Sequence, residues 1–328
     1  MISFTRRSVM TAGVATCSAL ALGLPAAAKT TLRLGHGLAK GHPVDKSLEL
    51  FAKLVAERSK GELEIKVFPA GQLGQQRELI EQLQTGALDL AHTNTAPLAA
   101  FEPIYGVFDL PFLFRDKAHF FKVVDGPVGQ EILEVAKAKQ LVGLAYYDNG
   151  TRSFYAKKPI RVPDDLKGLK IRVQPGPVAT RMVNLLGATA TPIAWGELYT
   201  ALQSGVVDGA ENNVTALTLA KHGEVIKFYS RDEHTRVPDL VIGSAARFAR
   251  LSAAQQDIVR KAAADSAKAH NDSWQKEVDL AETEALKMGI AFNEVDKAAF
   301  RKAVQPMFDD LKSQPAVAAI AEKIQAVK

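Results

Sequence analysis

Cysteine is almost missing from this chain. The single one among 328 residues, Cys17, lies inside an apolar N-terminal stretch that reads as an export signal, so the mature chain is expected to carry none. That excludes disulfides, thiolate metal sites and cysteine nucleophiles together. Lipid attachment at Cys17 is the competing reading, although Thr16 before it and the apolar run after it do not favour one. Also missing are a glycine-rich phosphate loop, a GxSxG elbow and an HExxH pair. The seven histidines are scattered, and His36 with His42 on a glycine-rich loop is the nearest approach to a metal pair. Loop flexibility and solvation explain that pair better than a metal does, so neither metal nor cofactor is expected, and catalysis has no positive signal.

Strong charge of either sign is lacking too. The formal charge of +5 falls to +3 when Arg6 and Arg7 leave with the signal, which argues against a nucleic-acid partner. The apolar run from Val9 to Leu24 is too short for a membrane span, and it is bracketed by Arg6-Arg7 and by Pro25-Ala26-Ala27-Ala28, the flanks of a cleaved signal. The adjacent arginines in TRRSVM look like the twin-arginine form of such a signal; a general secretory signal is the alternative. Residues 1–28 are therefore set aside, with cleavage expected near Ala28 and the periplasm as destination.

What remains is long enough for two cores, and 47% hydrophobic with 23% charged residues is ordinary for a globular protein. A short internal echo supplies the architecture: LQTGALDLA (83–91) returns as LQSGVVDGA (202–210). In each copy a helical stretch, Arg77 to Gln84 or Glu197 to Gln203, meets a glycine at the expected stop, Gly86 or Gly205. A short strand then opens into polar residues, His92-Thr93-Asn94 or Glu211-Asn212-Asn213. Ligands in open α/β sheets sit beyond the carboxyl ends of strands, so Asn94 and Asn212 are expected at two polar tips facing one cleft. TLRLG (31–35), LEIKVF (63–68) and LKIRVQ (169–174) alternate as strands, with a helix from Asp45 to Ser59. An alanine-rich helical tract runs from Ser252, its expected cap, to Met288, long enough to brace both lobes.

Three side chains draw attention. In LKIRVQ the alternation turns Ile171 and Val173 one way and Arg172 the other, either onto a wet sheet face or toward a ligand. Arg152, in DNGTRSF, stands where the chain would cross between lobes, on a solvated loop or near the cleft. Guanidinium groups suit carboxylate capture because they stay charged and present a planar fork of donors. Trp195 is either packed between helix and sheet or placed to cover a sugar-like ligand.

FPAGQLGQQRELIEQLQTGALDLA, DLPFLFRD (109–116), DLKGLKIRV (165–173) and ELYTALQSGVVDGAENN (197–213), in that order, resemble the solute-binding subunits of tripartite ATP-independent periplasmic (TRAP) transporters. The likeness covers essentially the whole mature chain. It implies an α/β, two-lobed periplasmic-binding-protein-like fold with a ligand cleft between lobes and a long helix spanning both. The expected boundaries are residues 29–149 plus about 238–250 for the first lobe, 150–237 for the second, and 251–328 for a helical segment bracing both. The resemblance also makes Arg172 the principal carboxylate ligand, with Arg152, Asn212, Asn94 and Trp195 around it and His36, Gln72 and Arg77 as weaker candidates. Asn94 stands where sialic-acid binders carry a glutamate, which counts against sialic acid.

The expected function is capture of a small organic acid, a sugar acid such as a hexuronate, by a monomer that delivers it to the membrane-embedded TRAP permease. Binding of a short oxo, hydroxy or dicarboxylic acid, a sensory role beside a signalling receptor, and an enzyme on the same scaffold stay open as alternatives.

Overall fold

The computed structural model describes residues 29–328, so the signal segment lies outside the described residues. Two sheets carry the fold. The first takes β1 (Thr30–Gly35), β2 (Leu63–Phe68), β3 (Leu90–Asn94) and β4 (Leu141–Tyr147) before the chain leaves it. The second takes β5 (Arg152–Ala156), β6 (Lys170–Val173), β7 (Thr189–Pro192), β8 (Gly209–Asn212) and β9 (Phe228–Thr235). The chain then returns as β10 (Asp239–Ser244), which inserts antiparallel between β3 and β4. It later gives β11 (Ala291–Asn293) to the edge of the second sheet. The orders are β2-β1-β3-β10-β4 and β11-β9-β5-β8-β6-β7.

The echoed units occupy matching places. Helix α1 (Pro43–Arg58) follows β1, helix α2 (Gln76–Thr85) leads into β3, and helix α3 (Leu198–Gln203) leads into β8. Gly86 and Gly205 sit just past their helices at φ +73° and +74°, the left-handed conformation in which a side chain would be strained. That sharp stop turns each chain straight into its strand, so Asn94 and Asn212 end β3 and β8 on the side where the two sheets approach.

Each sheet is covered on both faces. On β10, Leu240 and Ile242 enter one core and Val241 the other. In the second sheet Ile171 and Val173 join Phe154 in one core, while the opposite face carries Tyr155 and Ala210. Arg172 shares that second face and is 1% exposed. The wet face that strand alternation allowed it does not exist, because both faces of this mixed sheet are covered by apolar cores.

Helix α4 (Ala253–Lys287) is a single element of 35 residues, about 50 Å long, started by Ser252 accepting the N–H of Gln255. Val259, Ala262, Ala263 and Ala267 enter a core of the first lobe, and Ala281 and Ala285 enter one of the second. Small side chains let the helix lie close to both sheets. Helix α5 (Lys297–Val304) adds Phe300 and Val304 to the other core of the second lobe. Helix α6 (Pro315–Ala326) returns to the first lobe with Val317, Ile320 and Ile324. The segment after residue 250 is therefore not helical throughout: β11 interrupts it, three residues long and too short to show a period of its own.

Candidate functional site

Between the sheets lies a narrow cleft whose walls come from both lobes. Gly37, Leu38, His42, His92 and Asp239 face Gln174, Trp195, Asn212 and Asn213, with Asn149 at the crossing between them. Centres of a water-sized sphere can occupy about 50 Å³ of it, enough for a few waters at the ~10–15 Å³ that one requires.

Arg172 stands directly behind that wall, its guanidinium carbon 5.9 Å from the centre of the Trp195 ring. Nε donates to the carbonyl of Ile193 at 2.9 Å, and Nη1 is buried with no partner among the described residues. Burial pulls its pKa down to about 10; Tyr155 and Glu211 oppose that fall and the charge of Arg152 adds to it. A guanidinium so placed remains charged at neutral pH and keeps donors for an anion. Trp195 is half-buried and lies 5.3 Å from His222, so one face of the indole packs on the lobe while its edge borders the cleft.

Arg152 is held differently. It donates to both carboxylate oxygens of Glu211 at 2.5 and 2.8 Å, to the Glu211 carbonyl at 2.7 Å and to Asn212 Oδ1 at 2.9 Å. Four of its five N–H donors are thus taken inside the chain. Burial opposes ionisation of Glu211, but Arg152 and then His234 overcome it and hold its carboxyl down at about 2. His234 is pushed up to about 9: burial works against its charge, and Asp232 and Glu211 outweigh it. The result is a buried ionic cluster that fixes β5, β8 and β9 to one another.

Asn212 spends Oδ1 on Arg152 and on the N–H of Asn213, which leaves its Nδ2 as the group available at the cleft wall. Asn94 spends both ends: Oδ1 accepts from Ala96 N–H at 3.0 Å and Nδ2 donates to Asp239 Oδ1 at 2.9 Å. The echoed tips are therefore unequal, one lining the cleft and the other bracing a residue that does. His36 is buried beneath the loop, with Nε2 3.1 Å from Asp45 and Nδ1 accepting from Leu38 N–H; it orders Gly37 and Leu38 and does not itself line the space. Gln72 is exposed, and Gln76 lines the cleft near it. Arg77 is exposed and paired with Glu81 at 3.0 Å, outside the cleft lining.

Several cleft residues escaped sequence reasoning. Gln174 was within reach, since it lies two positions after Arg172 and so shares its face. In the sequence His42 is only a histidine on a glycine-rich loop. Its Nδ1 accepts the N–H of Val44 at 3.1 Å and burial holds its pKa at about 4, so a neutral ring presents Nε2–H. Asp239 gave no local signal, because it reaches the cleft only by the return of β10 to the first sheet. Gln75, which accepts from Gly196 N–H at 3.4 Å, ties the first lobe to the turn carrying Trp195.

Known proteins share this fold. Residues 34–314 match the family described as DctP, bacterial extracellular solute-binding protein, family 7. A TRAP periplasmic solute-binding protein from Xanthobacter autotrophicus, solved with bound β-D-galacturonate, superposes with a TM-score of 0.88 at 40% identity, covering 90% of this chain and all of that one. A second, from Chromohalobacter salexigens with bound D-glucuronate, gives 0.88 at 35% identity with the same coverage. The 2,3-diketo-L-gulonate-binding periplasmic protein of Escherichia coli is 35% identical over 226 residues, 69% of each chain.

Proposed function

This chain belongs to the bacterial extracellular solute-binding proteins of family 7, which serve transporters and are not enzymes, and from that membership we propose that its ligand is a hexuronate. The observation that carries the reading is Arg172: a buried guanidinium with Nη1 unpartnered, beside an indole at the border of the cleft. A carboxylate leaving water needs replacement charge and hydrogen bonds, and a guanidinium returns two parallel bonds in one plane. The hydroxyl-rich remainder of a sugar acid suits the amides of Gln174, Asn149 and Asn212 and the Nε2–H of His42. Trp195 gives its ring an apolar surface.

In the same proposal, Arg152 and Asn94 support the site from behind and Asn212 touches the ligand, while Gln72, Arg77 and His36 do not touch it. The segment 29–149 with 238–250 closes against 150–237, and the closed monomer hands its ligand to the TRAP permease. Export by way of Arg6 and Arg7 belongs to this proposal too. Calorimetric titration of galacturonate, glucuronate, gluconate, lactate and malate decides the ligand class. Stoichiometric, recoverable binding of a hexuronate supports it, and preference for lactate or malate over every sugar acid ends it.

A further inference from the structure

Of the fifteen residues lining the cleft, Asp239 is the sole carboxylate, and none is lysine or arginine. It is 5% exposed and is the first residue of β10, paired in register with Asn94 on β3 and Tyr147 on β4. Its Oδ1 accepts from Asn94 Nδ2 at 2.9 Å and from Asn149 Nδ2 at 3.3 Å. Oδ2 lies 3.2 Å from His92 Nε2, off the line of a good hydrogen bond, and keeps acceptor capacity toward the open space. The carboxylate is thus fixed in place by neutral amides, and no lysine or arginine on the wall cancels it. Arg172 belongs to the opposite lobe and stands behind Trp195. The negative charge is therefore on the cleft wall itself, whereas the positive charge of Arg172 stands behind the wall of the opposite lobe.

We propose that Asp239 is a specificity-determining residue that accepts ligand hydroxyl protons and limits this protein to acids with one carboxylate, rejecting the corresponding diacids. The inference rests on the hexuronate reading for the ligand's hydroxyls, but the exclusion of a second carboxylate follows from the charge alone. A diacid anchored on Arg172 would bring its far carboxylate toward Asp239 inside a closing, poorly hydrated space. There like charges repel far more strongly than in water, and Asp239 offers no hydrogen to donate. A hydroxyl at the same place donates one. His42 cannot relieve the repulsion, because burial keeps its ring neutral above about pH 4.

The test is titration at one pH and fixed salt of acid pairs differing by a second carboxylate: galacturonate with galactarate, glucuronate with glucarate, lactate with malate. Wild type is expected to bind the monoacid of its preferred pair at least a hundredfold more tightly. Asp239→Asn keeps an acceptor for Asn94 and Asn149 while losing the charge, and it should shrink that ratio at least tenfold, chiefly by tightening the diacid. A wild-type protein binding diacid and monoacid equally well overturns the proposal, and so does an unchanged ratio in a folded Asp239→Asn protein. Should that variant not fold, the wild-type ratio decides alone. Preference for lactate would end the hexuronate reading and leave the lactate-to-malate ratio to judge this one; binding of diacids only would end both.

Discussion

The guanidinium of Arg172 gives one proton to the carbonyl of Ile193 at 2.9 Å, while Nη1, also buried, gives its protons to nothing among the described residues. The Ile193 bond locks the plane of the fork, so what remains is an oriented pair of donors rather than a diffuse positive charge. Stranding such a group costs free energy, which in the proposed complex the ligand carboxylate recovers.

Arg172→Ala should therefore lose most binding, on the order of 2–5 kcal/mol for a buried charge partner. Arg172→Lys keeps the charge without the fork, and is expected to bind more weakly while discriminating less among acids. Titration of a hexuronate and its neutral amide against wild type and both variants checks this. Equal affinity of wild type for acid and amide would remove Arg172 from the site.

Trp195→Ala should weaken hexuronate binding by about 1–3 kcal/mol, the range for an aromatic face covering an apolar surface together with its area. The melting temperature should move little, since the indole is half-buried at the cleft edge. A large loss of stability with unchanged affinity would make Trp195 a packing residue.

The paired tips should separate under mutation. Asn212→Ala is expected to cost about 1–3 kcal/mol of binding through loss of an amide at the wall, beside the stability lost when Arg152 Nη1 loses its acceptor. Asn94→Ala removes both a helix cap and a donor to Asp239, so it should appear first as lost stability, about 0.5–2 kcal/mol for the cap alone. Parallel titration and urea denaturation tell them apart.

That divergence also shows where sequence reasoning stops. The echo, its glycine stops and the long capped helix are local patterns, and they were legible because helix ends and strand starts are set by neighbours in the chain. Arg172 and Trp195 were legible as residue types in a suitable place. The equality of Asn94 and Asn212 was not, because what each amide bonds depends on β10 returning beside β3 and on Arg152 crossing to β8. Asp239 and His42 belong to the same class: their partners lie far away in sequence.

Breaking the buried cluster should damage the fold before the ligand chemistry. Glu211→Gln leaves Arg152 and His234 without their countercharge, and removing one partner of a buried ion pair costs about 3–5 kcal/mol. The urea midpoint of that variant should fall at neutral pH. A wild-type midpoint would mean that water already screens the cluster.

Acidification should destabilise the protein between about pH 6.5 and 4. Burial holds His36 at about 4 and His222 at about 3, so the unfolded chain takes up their protons first and the stability they contribute above pH 6.5 drains away as pH falls. Asp109 opposes this: burial raises it to about 7, and its contribution is complete only below its unfolded value near 3.8. With His42, held at about 4 in the same way, three such histidines against one carboxyl leave a net loss. Urea midpoints at pH 7, 5.5 and 4 should decline in that order, and a rise on acidification would show that Asp109 dominates.

All four cores draw on the last quarter of the chain: Ile320 and Ile324, Val259 and Ala263, Phe300 and Met307, Ala281 and Ile290 each complete a different one. A ribosome releases this polypeptide N-terminus first, so the first 250 residues emerge with every sheet lacking part of its cover. Neither half can settle ahead of the other, and the usual order in which an early domain folds while a later one is still being made is closed to it. Complete folding is expected only once that last quarter has been made. A chain cut short at Arg250 would expose apolar faces of both sheets at once and should aggregate, whereas the full chain is expected to unfold in one transition.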